Sequence, residues 1–238
     1  MIKRWLQKLP RVYRVLHRFY YAVLYWVEQH VLGTRLHELM WRARRLEKAT
    51  QRSQEHPHRA FLMARIGRFA PLTSVLEVGC NTGPNLIALS RAYPGVGLYG
   101  VDINPHAIRA GQAGLAGERI PNASLFVGRA DDLSRFGDHT IDVVLTDATL
   151  MYVGPDKIAR TIAELLRVAR RGLLLNEWHM FEPTPDRAHW YYAHWVHDYQ
   201  ALLAGAPGVR SVQVERLPDG FWVGGGWAAY GATIVVDL

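Results

Sequence analysis

A short glycine-containing turn between two acids is the part of the sequence best suited to bind a ligand. Glu77 lies in an apolar run, Gly79 and Gly83 bracket the turn that follows, and Asp102 ends the next apolar run. Glycine lets the backbone approach a bound molecule closely. The free N–H groups at the start of a following helix favour an anionic group, and the second acid can accept hydrogen bonds from a ribose diol. These residues predict nucleotide binding.

The elements that must position these residues are a strand, a helix and a second strand. Residues 75–78 have the composition of a buried strand, Pro84 suits the first position of a helix, and residues 97–101 predict the next strand. The turn does not fit the dinucleotide pattern G-x-G-x-x-G, because Asn81 stands where the second glycine would be. Asparagine tolerates left-handed backbone angles, so the turn can still form. The alternative is a strand-to-helix turn without a ligand.

The remainder of the chain alternates strands and helices up to residue 177. The pattern predicts further helices at 57–69, from 105 onwards and at 156–168, and further strands at 123–127, 141–146, 173–176, 209–217 and 232–236. Such alternation is typical of a parallel sheet covered by helices. The last two strands follow a short glycine-rich connection, which indicates an antiparallel edge.

These motifs resemble those of the class I S-adenosylmethionine-dependent methyltransferases, in their small-molecule branch. Motif I of that family reads acid-x-Gly-x-Gly-x-Gly, and here it is Glu77-Val-Gly79-Cys-Asn81-Thr-Gly83, with asparagine as a departure from the commonest form. The resemblance covers residues 57–238. It implies an α/β fold with a Rossmann-like, doubly wound, mostly parallel seven-stranded sheet and an antiparallel C-terminal strand. Residues 1–56 lie outside it as an N-terminal helical extension.

The resemblance also implies a cofactor, S-adenosylmethionine, and the residues that would bind it. Asp102 matches the family's ribose-binding acid, and the segment from Ala130 to Leu133 resembles the one that holds the adenine. The full set of expected cofactor-binding residues is Glu77, Gly79, Cys80, Asn81, Gly83, Asp102, Ile103, Ala130, Asp131, Asp132, Leu133 and Asp147.

Methyl transfer from a sulfonium is an in-line displacement, so the enzyme mainly has to align donor and acceptor. A general base is needed only where the acceptor loses a proton. The candidates follow the fourth and fifth strands, where such folds place their ligands: His179 as the base, with Asp147 or Glu177 as a polar contact. The alternative is that these three residues only cap or solvate their loops.

Residues 178–199 are dense in aromatic side chains and histidines, and they follow the fifth strand, where this family varies its acceptor pocket. We expect this segment to include a helix and to contribute the acceptor pocket, with plain packing as the alternative. On a helix, His194 and His197 would lie about one turn apart and could chelate a metal ion. Because no cysteine or acid-rich ligand set accompanies them, we predict no metal site.

The basic character of the chain belongs to its N-terminal arm. Residues 1–52 hold 12 Lys/Arg against 3 acids, a charge of +9, whereas residues 53–238 hold 16 against 18, a charge of −2. Apolar residues recur every three or four positions from Trp5 to Val31, which predicts a helix. Three interpretations stay open: the arm packs on the catalytic domain or covers its active site, it contacts an anionic membrane through residues 1–45, or it binds nucleic acid. The weak charge of the remainder makes nucleic acid the least favoured partner.

The single cysteine and the absence of two sequence signals bear on the compartment and on the class of acceptor. The only cysteine, Cys80, rules out an intramolecular disulfide and fits a reducing compartment. With no signal peptide apparent, we expect a cytoplasmic protein that could associate with a membrane. No Asn-Pro-Pro-Tyr signature follows the fourth strand, which favours a small-molecule or a lipid- or saccharide-linked acceptor over nucleic acid. The rival functions are a non-catalytic cofactor-binding or membrane-recruited scaffold and, disfavoured by the glycine spacing, a nicotinamide-dependent oxidoreductase.

Overall fold

A seven-stranded sheet forms the centre of the computed structural model, which describes residues 10–44, 56–218, 220–222 and 224–238. The strands are β1 (Ser74–Val78), β2 (Gly97–Asp102), β3 (Ala123–Val127), β4 (Ile141–Asp147), β5 (Ala169–Trp178), β8 (Ser211–Arg216) and β9 (Gly231–Asp237), with β6 (Ala188–Tyr191) and β7 (His194–His197) forming a separate hairpin. The order is β3-β2-β1-β4-β5-β9-β8, and only β9 runs antiparallel to its neighbours. The predicted fold class is therefore confirmed.

Helices cover both faces of the sheet. After the N-terminal helices α1 (Pro10–Val27) and α2 (Arg35–Ala43) come α3 (His58–Gly67), α4 (Pro84–Ala92), α5 (Pro105–Gly117), α6 (Ile158–Val168), α7 (Tyr199–Leu203) and α8 (Gly225–Tyr230). Apolar side chains of α3, α4 and α5 pack on one face and those of α6 and α7 on the other. Alternate residues of β1 point to the two layers, as Leu76 and Val75 illustrate, because side chains alternate along a strand.

Two helices start where the sequence predicts, at the carboxyl ends of β1 and β2. Gly83 precedes α4 with a φ of 77°, a left-handed conformation that suits glycine, and Pro84 opens the helix. Asn104 precedes α5, and its side chain accepts hydrogen bonds from the backbone N–H groups of His106 and Ala107. Both helix starts therefore lie at the same edge of the sheet, beside the carboxyl ends of its parallel strands.

The N-terminal arm packs on the domain. A π-helical turn (Glu28–Leu32) joins α1 to α2. The Thr34 hydroxyl donates to Asp156 at 2.5 Å, and the indole N–H of Trp195 donates to Glu28 at 2.6 Å. The predicted helix is observed from Pro10, while its first residues and the polar link after Arg44 lie outside the described chain. Among the helices described, none has both the length and the apolar character needed to cross a bilayer.

The prediction of a helix within residues 178–199 is wrong. β5 continues to Trp178, and β6 and β7 then form a hairpin in which Tyr191 pairs with His194. The two turn residues have positive φ, 45° at Tyr192 and 64° at Ala193. This geometry is typical of a two-residue hairpin turn, for which Asn-Gly is the usual sequence signal. Tyr-Ala does not carry that signal, so the sequence pattern alone did not reveal the hairpin.

Candidate functional site

A cavity of about 350 Å³ opens at the carboxyl ends of β1, β2 and β4, a size within the range of small-molecule sites. It lies where the chain order of the sheet reverses, between β1 and β4. Of the residues predicted to bind cofactor, nine line it: Glu77, Gly79, Cys80, Asn81, Asp102, Ile103, Ala130, Asp131 and Asp147. The structure thus brings most of the predicted set together around one space.

The glycine turn forms one wall of the cavity. The backbone N–H groups of Gly79 and Cys80 both donate to the Val101 carbonyl, at 2.7 and 3.1 Å. Gly79 has a φ of 80°, and a Cβ at this position would overlap the side chain of Thr149. Asn81 also has a positive φ, 52°, which confirms that asparagine can replace the family's glycine here. The turn therefore requires glycine at 79 both for its backbone angles and for space.

Asp102 is held by the backbone on both of its carboxylate oxygens. The N–H of Asn81 donates to Oδ2 and that of Asn104 donates to Oδ1, each at 2.8 Å. Burial raises the pKa of Asp102, while these two hydrogen bonds act in the opposite direction. The carboxylate is fixed at the cavity wall with further acceptor capacity for a hydroxyl or amine ligand.

Glu77 is a buried carboxylate with a hydrogen-bond partner on only one of its two oxygens in the described residues. Its Oε1 accepts from Asn85 Nδ2 at 2.7 Å, whereas its Oε2 is buried and has no hydrogen-bond partner in the described part of the chain. Burial, together with the charge of Asp147, raises the pKa of Glu77 to about 8. A cationic donor in the cavity would supply the missing partner, because an unpaired buried acceptor is costly.

A charged cluster joins the N-terminal arm to the loop after β3. Arg129 donates to both oxygens of Glu38, at 2.8 and 2.9 Å, and to both oxygens of Asp131, at 2.9 and 3.0 Å. Lys157 Nζ donates to Glu38 at 2.5 Å. Burial opposes the ionisation of Asp131, but the hydrogen bonds from Arg129 dominate and lower its pKa. Glu38, Asp131 and Lys157 all line the cavity, so α2 closes this side of it.

Asp147 is the centre of a polar network next to Glu77, since Asn85 Nδ2 donates to both carboxylates. Its Oδ2 is 2.8 Å from His58 Nε2 and accepts from Asn85 Nδ2 at 2.9 Å, while its Oδ1 accepts from Asn176 Nδ2 at 2.9 Å. Although burial opposes ionisation, the hydrogen bond and charge of His58 lower the pKa of Asp147. The carboxylate is therefore ionised and aligned with the His58 ring.

A second histidine extends this network. The Nδ1 atoms of His56 and His58 are 2.6 Å apart, and both rings pack on Trp222, with centroids at 4.4 and 4.6 Å. The backbone N–H of His58 also donates to His56 Nδ1, at 3.4 Å. Burial and the neighbouring His58 lower the pKa of His56. His58 and Trp222 line the cavity.

Aromatic side chains cover the mouth of the cavity between the arm and the loop after β4. The ring of Tyr152 packs against Trp41 of α2 at 5.0 Å and against His37 at 5.6 Å. From the other side His194 of the hairpin packs on Tyr152 at 4.9 Å, and its Nε2 lies 3.3 Å from the Tyr152 hydroxyl. Tyr152, Trp41 and His37 line the cavity, so its wall is suited to a flat or apolar molecule.

Two of the three predicted catalytic residues do not line the cavity. Both oxygens of Glu177 accept from the N–H of Thr149, at 2.9 and 3.1 Å, and one also accepts from the N–H of Met151 at 3.2 Å. Burial raises the pKa of Glu177 to about 7. His179 is buried, and its Nδ1 accepts from the backbone N–H of Tyr199 at 3.3 Å. This placement supports the structural alternative for both residues, because neither can reach a molecule in the cavity.

Three predicted cofactor-binding residues also lie outside the cavity lining. Leu133 is packed into the core beside β1 and α6. The side chain of Asp132 is exposed and accepts from the N–H of Ser134 at 3.2 Å. Gly83 supports the turn as the residue before α4. In the 130–133 segment only Ala130 and Asp131 face the ligand space, because consecutive residues point in different directions.

The aromatic segment 178–199 supports the site from behind and contributes no lining residue. Trp178 is buried against Tyr191, His194 and Trp227. His194 and His197 lie on a strand, so they do not stack one helical turn apart, and His197 Nε2 is 2.8 Å from the Val153 carbonyl oxygen. The segment therefore packs outside the cavity lining, and its contribution to an acceptor pocket stays a prediction.

Sequence reasoning missed the lining residues that come from outside the family motifs. These are chiefly Thr34, His37, Glu38, Trp41, His58, Arg59, Tyr152, Lys157 and Trp222. Arg59 lines the cavity beside Asn85 and donates to the amide oxygen of that residue. The pair His56-Pro-His58 at the start of α3 was the one available signal, since two histidines so close together in the chain are a candidate site. Nothing in its spacing indicated Asp147, which lies 89 residues away from His58.

Comparison with known proteins is consistent with this geometry. Residues 75–172 match the family model described as a methyltransferase domain. An uncharacterized protein of Haemophilus influenzae is 32% identical over 160 residues, covering 66% of this chain and 58% of that protein. Demethylmenaquinone methyltransferase of Roseiflexus castenholzii is 31% identical over 146 residues, covering 60% and 58%. The matched region thus spans somewhat more than half the length of these curated relatives.

A solved structure gives the same fold. Magnesium protoporphyrin IX methyltransferase of Synechocystis, crystallised with bound S-adenosylmethionine, superposes with a TM-score of 0.55 at 18% identity, covering 89% of this chain and 94% of that one. The matched domain spans the glycine turn, Asp102 at the end of β2, and β4. Residues 75–172 therefore form a methyltransferase domain, and the sheet order and the cavity position are those of the class I S-adenosylmethionine-dependent methyltransferases.

Proposed function

We propose that this protein transfers a methyl group from S-adenosylmethionine to a small-molecule acceptor, or to a lipid- or saccharide-linked one that inserts a head group into the cavity. The observation that carries the proposal is a cavity lined both by the predicted cofactor-binding acids and by a histidine–carboxylate pair. The acids are Glu77, Asp102 and Asp131, and the pair is His58 and Asp147, which lies next to Glu77.

The acids among the lining residues fit the cofactor. S-adenosylmethionine has an ammonium group at its amino-acid end, a ribose diol and an adenine amine. The buried Oε2 of Glu77 has no partner in the regions described and suits the ammonium group, and Asp102 suits the ribose. When bound, S-adenosylmethionine supplies an electrophilic methyl group on its sulfonium.

The His58–Asp147 pair fits an acceptor whose nucleophilic atom carries a proton. Asp147 holds His58, which lines the cavity, and His56 contacts His58 from outside the lining, with a lowered pKa that keeps its ring neutral near pH 7. A proton taken up by the two histidines would be stabilised by the negative charge of Asp147, as in other oriented acid–base groups. The two histidines and Asp147 replace His179 as the proposed acid–base group.

The aromatic residues that line the same cavity as His58 and Asp147 favour a flat or apolar acceptor. Trp41, Tyr152 and Trp222 provide three aromatic faces, while Lys157 supplies a cation near the arm. The names of demethylmenaquinone methyltransferase and magnesium protoporphyrin IX methyltransferase designate a quinone and a porphyrin as acceptors. We therefore include quinol, porphyrin and phenol compounds among the acceptors to be tested.

Calorimetric titration with S-adenosylmethionine, S-adenosylhomocysteine and NAD tests the cofactor. We expect binding of the first two and not of NAD. Asp102→Ala should weaken S-adenosylmethionine binding by about 1–3 kcal/mol, the cost of a lost polar contact. Asp132→Ala is the matched control, since this neighbouring acid is exposed and outside the lining. Equal affinities for a folded Asp102→Ala protein and its parent would refute the cofactor assignment.

Transfer of a labelled methyl group to the acceptor panel tests the reaction. His58→Gln should leave cofactor affinity within about twofold and lower turnover tenfold or more, a barrier increase of about 1.4 kcal/mol. The parent pH–rate profile should rise through a pKa below 6.5 that is lost in His56→Gln. Tight cofactor binding with no transfer to any acceptor would favour the scaffold function instead.

A further inference from the structure

The face of α1 that points away from the domain is apolar. Six side chains at spacings of three and four are between 44% and 68% exposed: Val12, Val15, Leu16, Phe19, Val23 and Trp26. A surface helix of a globular protein normally turns its polar residues to solvent and its apolar ones to the core. On α1 apolar side chains instead face solvent over most of its 18 residues.

The opposite side of α1 already makes the contacts that attach it to the domain. The rings of Tyr21 and Tyr25 pack against Trp190 of the β6–β7 hairpin at 6.5 and 5.0 Å, and Tyr21 also packs against Tyr192 at 5.6 Å. The exposed apolar face is therefore not the surface by which the helix docks on its own domain. Contiguous exposed apolar surface of this kind marks an interaction site.

The charge of the arm identifies the kind of surface it fits. Its acids within the described segment are turned inward: Glu28 is buried beside His37 and Trp195, and Glu38 is paired with Arg129 and Lys157. The side chains of Arg18, Arg35, Arg42 and Arg44 are exposed. Two copies of so basic an arm would repel each other, whereas anionic lipid head groups would attract it.

We propose that α1 binds peripherally to an anionic membrane, lying in the plane of the interface with its apolar face inserted. Phe19 and the neighbouring aliphatic side chains enter the acyl boundary, and Trp26 and Tyr20 lie at the level of the head groups, where amphipathic rings are favoured. The exposed arginines of the arm contact lipid phosphates. Because the active-site wall in α2 follows directly in the chain, this binding holds the cavity near the membrane surface. The inference does not depend on methyl transfer.

Co-sedimentation of the full-length protein with vesicles tests this proposal. One set contains phosphatidylcholine alone, and the other contains about a quarter phosphatidylglycerol. We expect binding to the anionic vesicles that weakens in high salt. The double variant Phe19→Ser/Val23→Ser keeps every charge, and its affinity for the anionic vesicles should fall by about tenfold or more. Val127→Ser is the matched control, because Val127 is a similarly exposed apolar residue in β3.

Circular dichroism and S-adenosylmethionine titration confirm that the variants are folded, and light scattering measures their oligomeric state. Binding that is equal for the parent and the double variant would overturn the proposal. A parent that does not sediment with anionic vesicles would also overturn it. Loss of a dimer in the double variant, without any lipid binding by the parent, would identify a second copy as the true occupant of this face.

Discussion

The raised pKa of Glu77 predicts that binding of S-adenosylmethionine releases a proton. With a pKa of about 8, the ligand-free carboxyl group is about 0.9 protonated at pH 7. A cationic ammonium group beside the unpaired Oε2 favours the ionised form, so forming this ion pair expels that proton. The affinity should accordingly rise about tenfold from pH 6 to pH 7 and level off above pH 8.

Calorimetry in buffers of different ionisation enthalpy measures this proton directly. The apparent binding enthalpy at pH 7 should vary with the buffer at a slope of about 0.9 protons per ligand. Glu77→Gln should abolish the slope and weaken binding by about 1–3 kcal/mol. Asp102→Asn, which removes a different cavity carboxylate, should weaken binding and keep the slope. A parent enthalpy that does not depend on the buffer would refute the assignment of Glu77 to the ammonium end.

The same group predicts the sign of a pH effect on the ligand-free protein. The pKa of Glu77 is raised in the folded state, from 4.5 to about 8, so the folded state binds the proton more tightly than the unfolded state. Its contribution to folding is therefore fully present below about pH 4.5 and is lost as the pH rises towards 8. Thermal denaturation of the parent and Glu77→Gln across this range should show a smaller fall in Tm for the variant.

Three further outcomes are expected. Gly79→Ala should lower stability and cofactor affinity more than Gly205→Ala. Both glycines have a φ near 75°, but only a Cβ at position 79 would meet another side chain, that of Thr149. Equal losses of Tm in thermal denaturation would contradict this steric argument. His179→Gln should keep turnover within about twofold, because its ring lies outside the cavity, and a tenfold loss would restore it as a catalytic candidate. Deletion of residues 1–44 should weaken cofactor binding in titrations by removing the cavity wall in α2, and an unchanged affinity would show that the arm is dispensable.

The sequence by itself determined the fold and the cofactor side of the site. The turn from Glu77 to Gly83, the acid at Asp102 and the alternation of strands and helices depend on residue spacing within short segments. The periodicity of strands and helices and the residues that start a helix are local properties of the sequence. The position of ligands at the carboxyl ends of parallel strands follows from the topology of the sheet, so it too can be predicted without the folded structure. The residues predicted to bind the cofactor lie mostly within one turn or at the end of one strand, so the same rules could place them near each other.

Only the tertiary structure decided the surroundings of Asp147 and the place of the arm. Asp147 meets His58 across 89 positions of chain, and Glu38 of the arm meets Arg129 across 91. The hairpin at Tyr192 depends on two positive φ angles that its residue types do not signal. Side-chain direction at the end of a strand depends on what packs around it, which is why Asp147 faces the cavity while Glu177 binds the loop beside it.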